Sequence, residues 1–305
     1  MTVLVIVGPT AVGKSTLSVL VAQELTRSGR TAEIISADSM QAYIGMNIGT
    51  ATPNEEERGG IAHHLLDVWP SNHVLTVSQY QETARAAIDE VLARGALPIV
   101  VGGSGLYVAA ILDDLQFPAT DPEIRAKFEA QLEELGALAM HRKLALVDPA
   151  AAAEIGQMNG RRIVRALEVL EVTGEKFIAR LPEPVELYQT IRVGLEISRE
   201  DMDERIALRV HQMFEHGFVE EVRTLPDTAY SVTATRAIGY TQVLEFLAGK
   251  CTEDEAISET IAITKKFARR QQRWFRQDKR IIWMDYNEVG LASRVCALLG
   301  EDTKQ

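Results

Sequence analysis

The chain has 305 residues, of which 46% are hydrophobic and 25% charged, with a formal net charge of −11. That is ample apolar material for a full core, which excludes a disordered or low-complexity chain. No run of 18 apolar residues occurs, so no membrane span is expected.

The first third alternates strand and helix patterns. Thr2–Val7 is a run of β-prone apolar residues followed by Gly8-Pro9 and reads as a buried strand. Lys14–Ser28 reads as a helix closed by Gly29, and Ala32–Ser36 as a second strand. His64–Val68 is a weaker third strand. Val77–Arg94 is a helix ending at Gly95, and Leu97–Val101 a strand ending at Gly102-Gly103. Strands alternating with helices predict a parallel sheet flanked by helices, with ligands beyond the carboxyl ends of the strands.

From Asp121 to about Arg180 only helix patterns occur. Asp121-Pro122-Glu123 is a helix start, Asp148-Pro149 opens a helix through Glu154, and Arg161–Thr173 is ended by Gly174. Tyr188–Ile197 resumes as strand, and the remainder is mainly helical up to a strand-like Arg280–Met284. The expected fold is therefore a P-loop-containing α/β core, residues 1–118 and 188–305, split by a small all-helical insertion at 119–187.

Gly8-Pro9-Thr10-Ala11-Val12-Gly13-Lys14-Ser15 fits the phosphate-loop pattern completely, and it lies between a strand and a helix as that pattern requires. Its glycines let backbone N–H groups face phosphate oxygens, and the helix start that continues into Thr16 adds partial positive charge. Lys14 adds a full charge, and Ser15 can ligate Mg²⁺. An ATP-driven enzyme also needs an Asp at a strand end to hold its metal through water. The best strand, Leu97–Val101, ends in glycines instead, although Asp38 follows the second strand; ATP hydrolysis is not signalled. Asp38 itself reads equally well as a crevice-facing carboxylate or as a helix N-cap followed by Ser39.

A set of ordered motifs settles on a family. Beyond the loop stand DSMQAYIGMNIGTATP at Asp38–Pro53, HHLLD at His63–Asp67, VGGSGLY at Val101–Tyr107 and DPEIR at Asp121–Arg125. RRIVRALEV at Arg161–Val169, GFVEEVRTL at Gly217–Leu225, RAIGYTQ at Arg236–Gln242 and a basic stretch up to Trp274 follow. Over nearly its whole length the chain resembles the bacterial tRNA dimethylallyltransferases, also called isopentenyl-diphosphate:tRNA transferases. Ile44, Asn47 and Thr52 depart from the family pattern.

The resemblance implies transfer of a dimethylallyl group from dimethylallyl diphosphate to the exocyclic amine of an adenosine beside the tRNA anticodon, with Mg²⁺ assisting. The loop Gly8–Thr16 then holds a leaving diphosphate, joined by Arg223. Lys14, Asp38 and Ser104 match the family's catalytic positions, with Asp38 accepting the proton of the amine and Ser104 standing where Thr is usual. Asp38, Ser39, Met40, Gln41 and Ser104 match residues that contact the target base. Arg125, Arg161, Arg162, Arg165 and Arg236 match positions facing the anticodon stem-loop.

Charge supports an RNA partner despite the acidic total. Between Thr264 and Arg280 eight basic side chains stand against Asp278, a net +7 that leaves −18 on the remainder. Lys266, Arg270, Arg273, Arg276 and Arg280 would share one helical stripe facing phosphates, with Phe267, Trp274 and Phe275 as packing. Cys251 and Cys296 lie far apart without metal-ligand spacing and read as reduced thiols. The apolar run Val3–Val7 has no basic leader before it, so no targeting peptide is expected; the enzyme is expected to be cytoplasmic, as the reduced thiols imply, and a monomer. Two other readings fit the loop: a dimethylallyltransferase acting on free adenylate, and a nucleotide or small-molecule kinase.

Overall fold

The computed structural model describes residues 2–178, 182–225, 231 and 233–301. Two compact units emerge, one of residues Met1–Asp113 with Glu186–Gln305, the other Asp114–Val185. The second unit is thus five residues longer at its start and two shorter at its end than the sequence reading.

The larger unit begins with β1 (Thr2–Val7), α1 (Lys14–Arg27), β2 (Ala32–Ser36), α2 (Glu55–Arg58), β3 (His63–His64), α3 (Val77–Ala93), β4 (Leu97–Gly102) and α4 (Gly105–Leu112). The smaller unit contributes α5 (Pro122–Val147), α6 (Pro149–Glu154) and α7 (Gly160–Thr173). The larger unit resumes with β5 (Gln189–Glu196), α8 (Arg199–Glu215), α9 (Phe218–Thr224), a 3₁₀ turn at Ala234–Arg236, α10 (Tyr240–Leu247), α11 (Glu253–Phe275), β6 (Ile281–Asp285) and α12 (Leu291–Glu301).

Among the described residues the strands form one parallel sheet in the order β3-β2-β4-β1-β5-β6. The central strands are apolar without alternation because both faces are covered. Val3 to Val7 and all of β4 are buried, and Leu4 sits between Ile99 on β4 and Ile191 on β5. This order matters for function. β4 lies between β2 and β1, so the segments that leave β1, β4 and β2 emerge side by side at one edge of the sheet. Those segments carry the phosphate loop, Ser104 and Asp38.

The third strand is only His63–His64, not His64–Val68. Leu65 and Asp67 adopt φ of 64° and 51°, a left-handed conformation that ends extended pairing. The helix bearing the basic stretch starts twelve residues before Lys265, at a capping box in which Thr252 and Glu255 satisfy each other's backbone N–H groups. It ends at Phe275.

The helical unit has its own core of Phe128, Met140, Leu144, Ile163 and Leu167. Asp121 and Asp148 cap α5 and α6 as their Asp-Pro signatures predict, and α5 kinks where Gly136 takes φ 77°. Among the described residues no helix is long and apolar enough to cross a membrane.

Candidate active site

The phosphate loop owes its shape to three left-handed residues, Gly8 (φ 150°), Ala11 (φ 65°) and Gly13 (φ 104°). At Gly8 a side chain is disfavoured twice over, by the positive φ and because a Cβ would stand a tight 3.1 Å from the Leu195 carbonyl on β5. The turn is braced from outside. Lys14 Nζ donates to the Pro9 carbonyl at 2.7 Å, and Arg205 Nε on α8 donates to the Ala11 carbonyl at 2.8 Å. The Thr10 N–H donates to Gln271 Oε1 on α11 at 2.8 Å.

Two adjoining cavities open from this loop. The smaller, about 90 Å³, is lined by Thr10, Lys14, Ser15, Asp38, Gln41 and Arg209, among others. The larger, about 350 Å³, is reached by Ser39, Met40, Ser104, Tyr107 and Arg270, with Ile206, Val210, Met213 and Ile238 as apolar wall. Asp38, Thr10, Arg209, Phe267 and Gln271 belong to both linings and form the partition.

The charges in the partition perturb one another. Burial pushes the Lys14 ammonium down to about 7; the like charge of Arg209 adds to this and Asp38 opposes it. Burial likewise raises the Asp38 carboxyl, against the Met40 N–H that donates to Oδ1 at 3.0 Å and the charge of Lys14. No helix follows Asp38; the chain turns, so its carboxylate is a crevice group rather than a helix cap. Ser104 occupies the N-cap of α4, yet its hydroxyl makes no capping bond and lines the larger cavity.

Other expected residues are placed differently. Arg223 lines neither cavity: it is 59% exposed on α9 and pairs with Glu220 at 2.7 Å, three residues back on the same helix. Two arginines of α8 reach the loop, Arg205 at the Ala11 carbonyl and Arg209, whose Nη1 stands 3.4 Å from Thr10 Oγ1; of the two, Arg209 lines the smaller cavity. Spacing carried a faint signal for it, since Arg205 and Arg209 are four apart and share a helical face. Gln271 and Tyr107 had no such signal. Thr16 faces a separate cavity with Arg205 and Tyr286.

In the helical unit Arg125 and Arg165 turn onto the fully buried Glu168, at 2.7 and 3.0 Å, instead of presenting free charge. A buried carboxylate needs such partners. Arg161 and Arg162 are exposed in the first turn of α7. The side chain of Arg236 lies outside the described residues.

The basic stripe is shorter than its spacing suggested. Lys266, Arg270 and Arg273 are exposed on α11. Arg276 pairs with Glu196, while Arg280 lies beyond the helix and joins buried Asp113 at 2.8 Å, with Asp278 and Arg192 completing the network. Nor are all the aromatics packing: Phe275 is buried, but Phe267 lines both cavities and Trp274 is 42% exposed against Gly105.

For Mg²⁺ the donor set is hard oxygen. Ser15 and Asp38 line the same cavity, and no group of three or more His, Cys, Asp or Glu side chains suited to a metal occurs among the described residues. Such a site fits an ion that keeps several waters and takes its remaining ligands from substrate phosphates.

Fold and site together define a P-loop enzyme of the group-transfer class. Residues 41–278 match the family model described as IPP transferase, and the chain belongs to that family. It is 55% identical over 302 residues to the tRNA dimethylallyltransferase of Thermobifida fusca, covering 98% of this chain and 95% of that one. It is 52% identical over 294 residues to the tRNA dimethylallyltransferase of Salinispora tropica, covering 96% and 91%. Among solved structures, the full-length tRNA isopentenylpyrophosphate transferase of Bacillus halodurans superposes with a TM-score of 0.71 at 36% identity, covering 99% of this chain and 96% of that one.

Proposed function

We propose that the protein transfers a dimethylallyl group from dimethylallyl diphosphate to N6 of the adenosine adjacent to the anticodon in tRNAs, releasing diphosphate, in the cytoplasm. The observation that carries this reading is the partition. A cation-lined phosphate pocket and a larger, partly apolar chamber meet at Asp38, so a diphosphate and the group it carries can occupy the two sides of one carboxylate.

The chemistry follows from those positions. Departure of the diphosphate builds negative charge on its bridging oxygen, and Lys14, Arg209 and the loop N–H groups stabilise it. The allylic carbon gains cationic character against the apolar wall of Ile206, Val210 and Met213. An adenine amine is a poor nucleophile because its lone pair is delocalised into the ring. Asp38 orients that amine and accepts its proton, and a pKa raised by burial makes it a better base than a solvated carboxylate. Ser104 and Tyr107 lie on the same side of the partition and suit contacts to the base. Ser15 and Asp38 would hold Mg²⁺, which would neutralise charge on the leaving diphosphate.

An adenosine within a single-stranded loop can be splayed out and inserted into such a chamber. The exposed Lys266, Arg270 and Arg273 suit the phosphates around it, and Arg270 also reaches the larger cavity. Those cations favour tRNA over free adenylate as the acceptor. The test is incubation with Mg²⁺, radiolabelled dimethylallyl diphosphate and either unmodified bulk tRNA or AMP. Label in tRNA alone is expected. Label in AMP alone would assign the free-nucleotide reaction, and label in neither would overturn prenyl transfer altogether.

A further inference from the structure

Helix α9 carries a carboxylate that touches neither cavity and yet is saturated with donors. Glu221 Oε2 accepts the backbone N–H groups of Asn47 at 2.8 Å and Ile48 at 2.6 Å. Its Oε1 accepts the N–H of Gly49 at 3.1 Å and the Tyr240 hydroxyl at 2.6 Å. Three successive N–H groups converging on one anion form a backbone nest, normally a binding site for a free anion. Here the protein fills the nest with its own side chain. The loop is pressed close as well, because a Cβ on Gly49 would stand 2.2 Å from the Phe218 ring and 2.5 Å from that of Tyr240.

The next two residues of that loop form cavity wall. Thr50 and Ala51 line both cavities, and their carbonyls accept from Gln41 Nε2 at 3.4 and 3.1 Å. Gln41 Oε1 in turn accepts from Ser36 Oγ at 2.9 Å, and Ser36 Oγ accepts the backbone N–H of Asp38 at 3.2 Å. A continuous run of bonds thus leads from Glu221, through the 47–51 loop and Gln41, to the peptide of the proposed base.

We infer that Glu221 is a positioning residue for Asp38: it pins the 47–51 loop so that Gln41 holds Ser36 and the Asp38 peptide in a fixed place at the partition. This rests on the proposed reaction. Because the run of bonds ends on the Asp38 peptide, and Gln41, Thr50 and Ala51 line the smaller cavity as well, loss of the clamp falls first on the chemical step rather than on the binding of one substrate.

The experiment is two-substrate steady-state kinetics on the full chain with Glu221→Gln, which keeps the size but replaces one accepting oxygen by an NH₂ that faces donors. The expected result is a kcat reduced roughly 10- to 100-fold, as a small misplacement of a reacting group produces, with the KM for tRNA within about threefold. The KM for dimethylallyl diphosphate likewise stays within about threefold, as expected when what is lost acts on the transition state rather than on ground-state binding. Tyr240→Phe removes one of the four donors, leaves the carboxylate and ring in place, and carries the test by the same split, with a smaller effect, if Glu221→Gln melts below the assay temperature. Unchanged kinetics, or raised KM values with kcat unaltered, overturns the inference while leaving the reaction intact. Failure of the wild-type protein to label tRNA overturns both.

Discussion

Gln271 Oε1 accepts the backbone N–H of Thr10 at 2.8 Å, across 261 positions of sequence. This bond fastens the helix with the exposed cations to the phosphate loop, so the proposed RNA-binding face and the diphosphate pocket share a strut. Gln271 is held from its other side too, since a Cβ on Gly103 would stand 2.5 Å from its Nε2. Gln271→Ala is expected to cost about 1 kcal/mol of stability in a denaturant melt, and to lower kcat/KM roughly tenfold by loosening the loop. Gly103→Ala should produce the same kinetic defect by pushing the amide aside. Activity unaltered in both variants would mean that the strut has no bearing on the site.

Lys14 predicts a pH dependence of donor binding. In the ligand-free protein burial, with help from Arg209 and against Asp38, holds its ammonium at about 7. A bound diphosphate favours the charged form, so binding at pH 8 takes up a proton and affinity falls as the pH rises through about 7. Calorimetry at pH 8 in two buffers of different ionisation enthalpy reads the uptake directly; identical heats would place Lys14 outside the diphosphate site. Lys14→Ala is expected to abolish transfer while tRNA affinity, measured separately, stays largely intact.

Asp38 should separate activity from stability. Its carboxyl is raised by burial, so the native state binds the proton more tightly than the unfolded state does. Stability from this group is therefore fully present below the unfolded value of about 3.9 and is lost as pH rises from there through the raised native value, so that above it the ionised side chain is a liability to the fold. Asp38→Asn keeps an acceptor for the Met40 N–H and removes the buried charge. Its melting temperature at pH 7 is expected to equal or exceed that of the wild type, while single-turnover transfer falls about 10²- to 10⁴-fold. A variant that melts earlier and still transfers at the native rate would contradict both halves of this account.

The two arginines give opposite expectations. Arg223 is solvated and paired along its own helix, so Arg223→Ala should change stability by no more than about 0.5 kcal/mol and leave the donor KM within about twofold. Arg209 stands over Thr10 beside Lys14. Losing a charge-assisted bond of about 1.5–3 kcal/mol from Arg209→Ala corresponds to roughly 10- to 150-fold in kcat/KM for the donor. Steady-state kinetics with dimethylallyl diphosphate varied decides between them, and a larger effect at Arg223 would reverse the assignment.

What the sequence by itself determined about this protein is local in origin. Eight consecutive residues carry the phosphate loop, because φ at Gly8 and Gly13 and the charge of Lys14 need no distant partner. The buried strand at Thr2–Val7, the Asp-Pro starts of α5 and α6 and the Gly174 end of α7 are equally short-range. Even the placement of Asp38 and Ser104 was accessible, since ends of parallel strands face one edge of the sheet. The destinations of long cationic side chains were decided only by the tertiary structure. Arg125 and Arg165 go to the buried Glu168, Arg280 goes to Asp113, and Arg209 takes the place at the loop expected for Arg223. Glu221 is fixed by a nest of N–H groups more than 170 residues away in the chain. The physical reason is common to all of them. A side chain that can reach several ångströms in any direction is committed by the carboxylate, carbonyl or cavity that packing brings beside it, and helical periodicity carries no record of that partner.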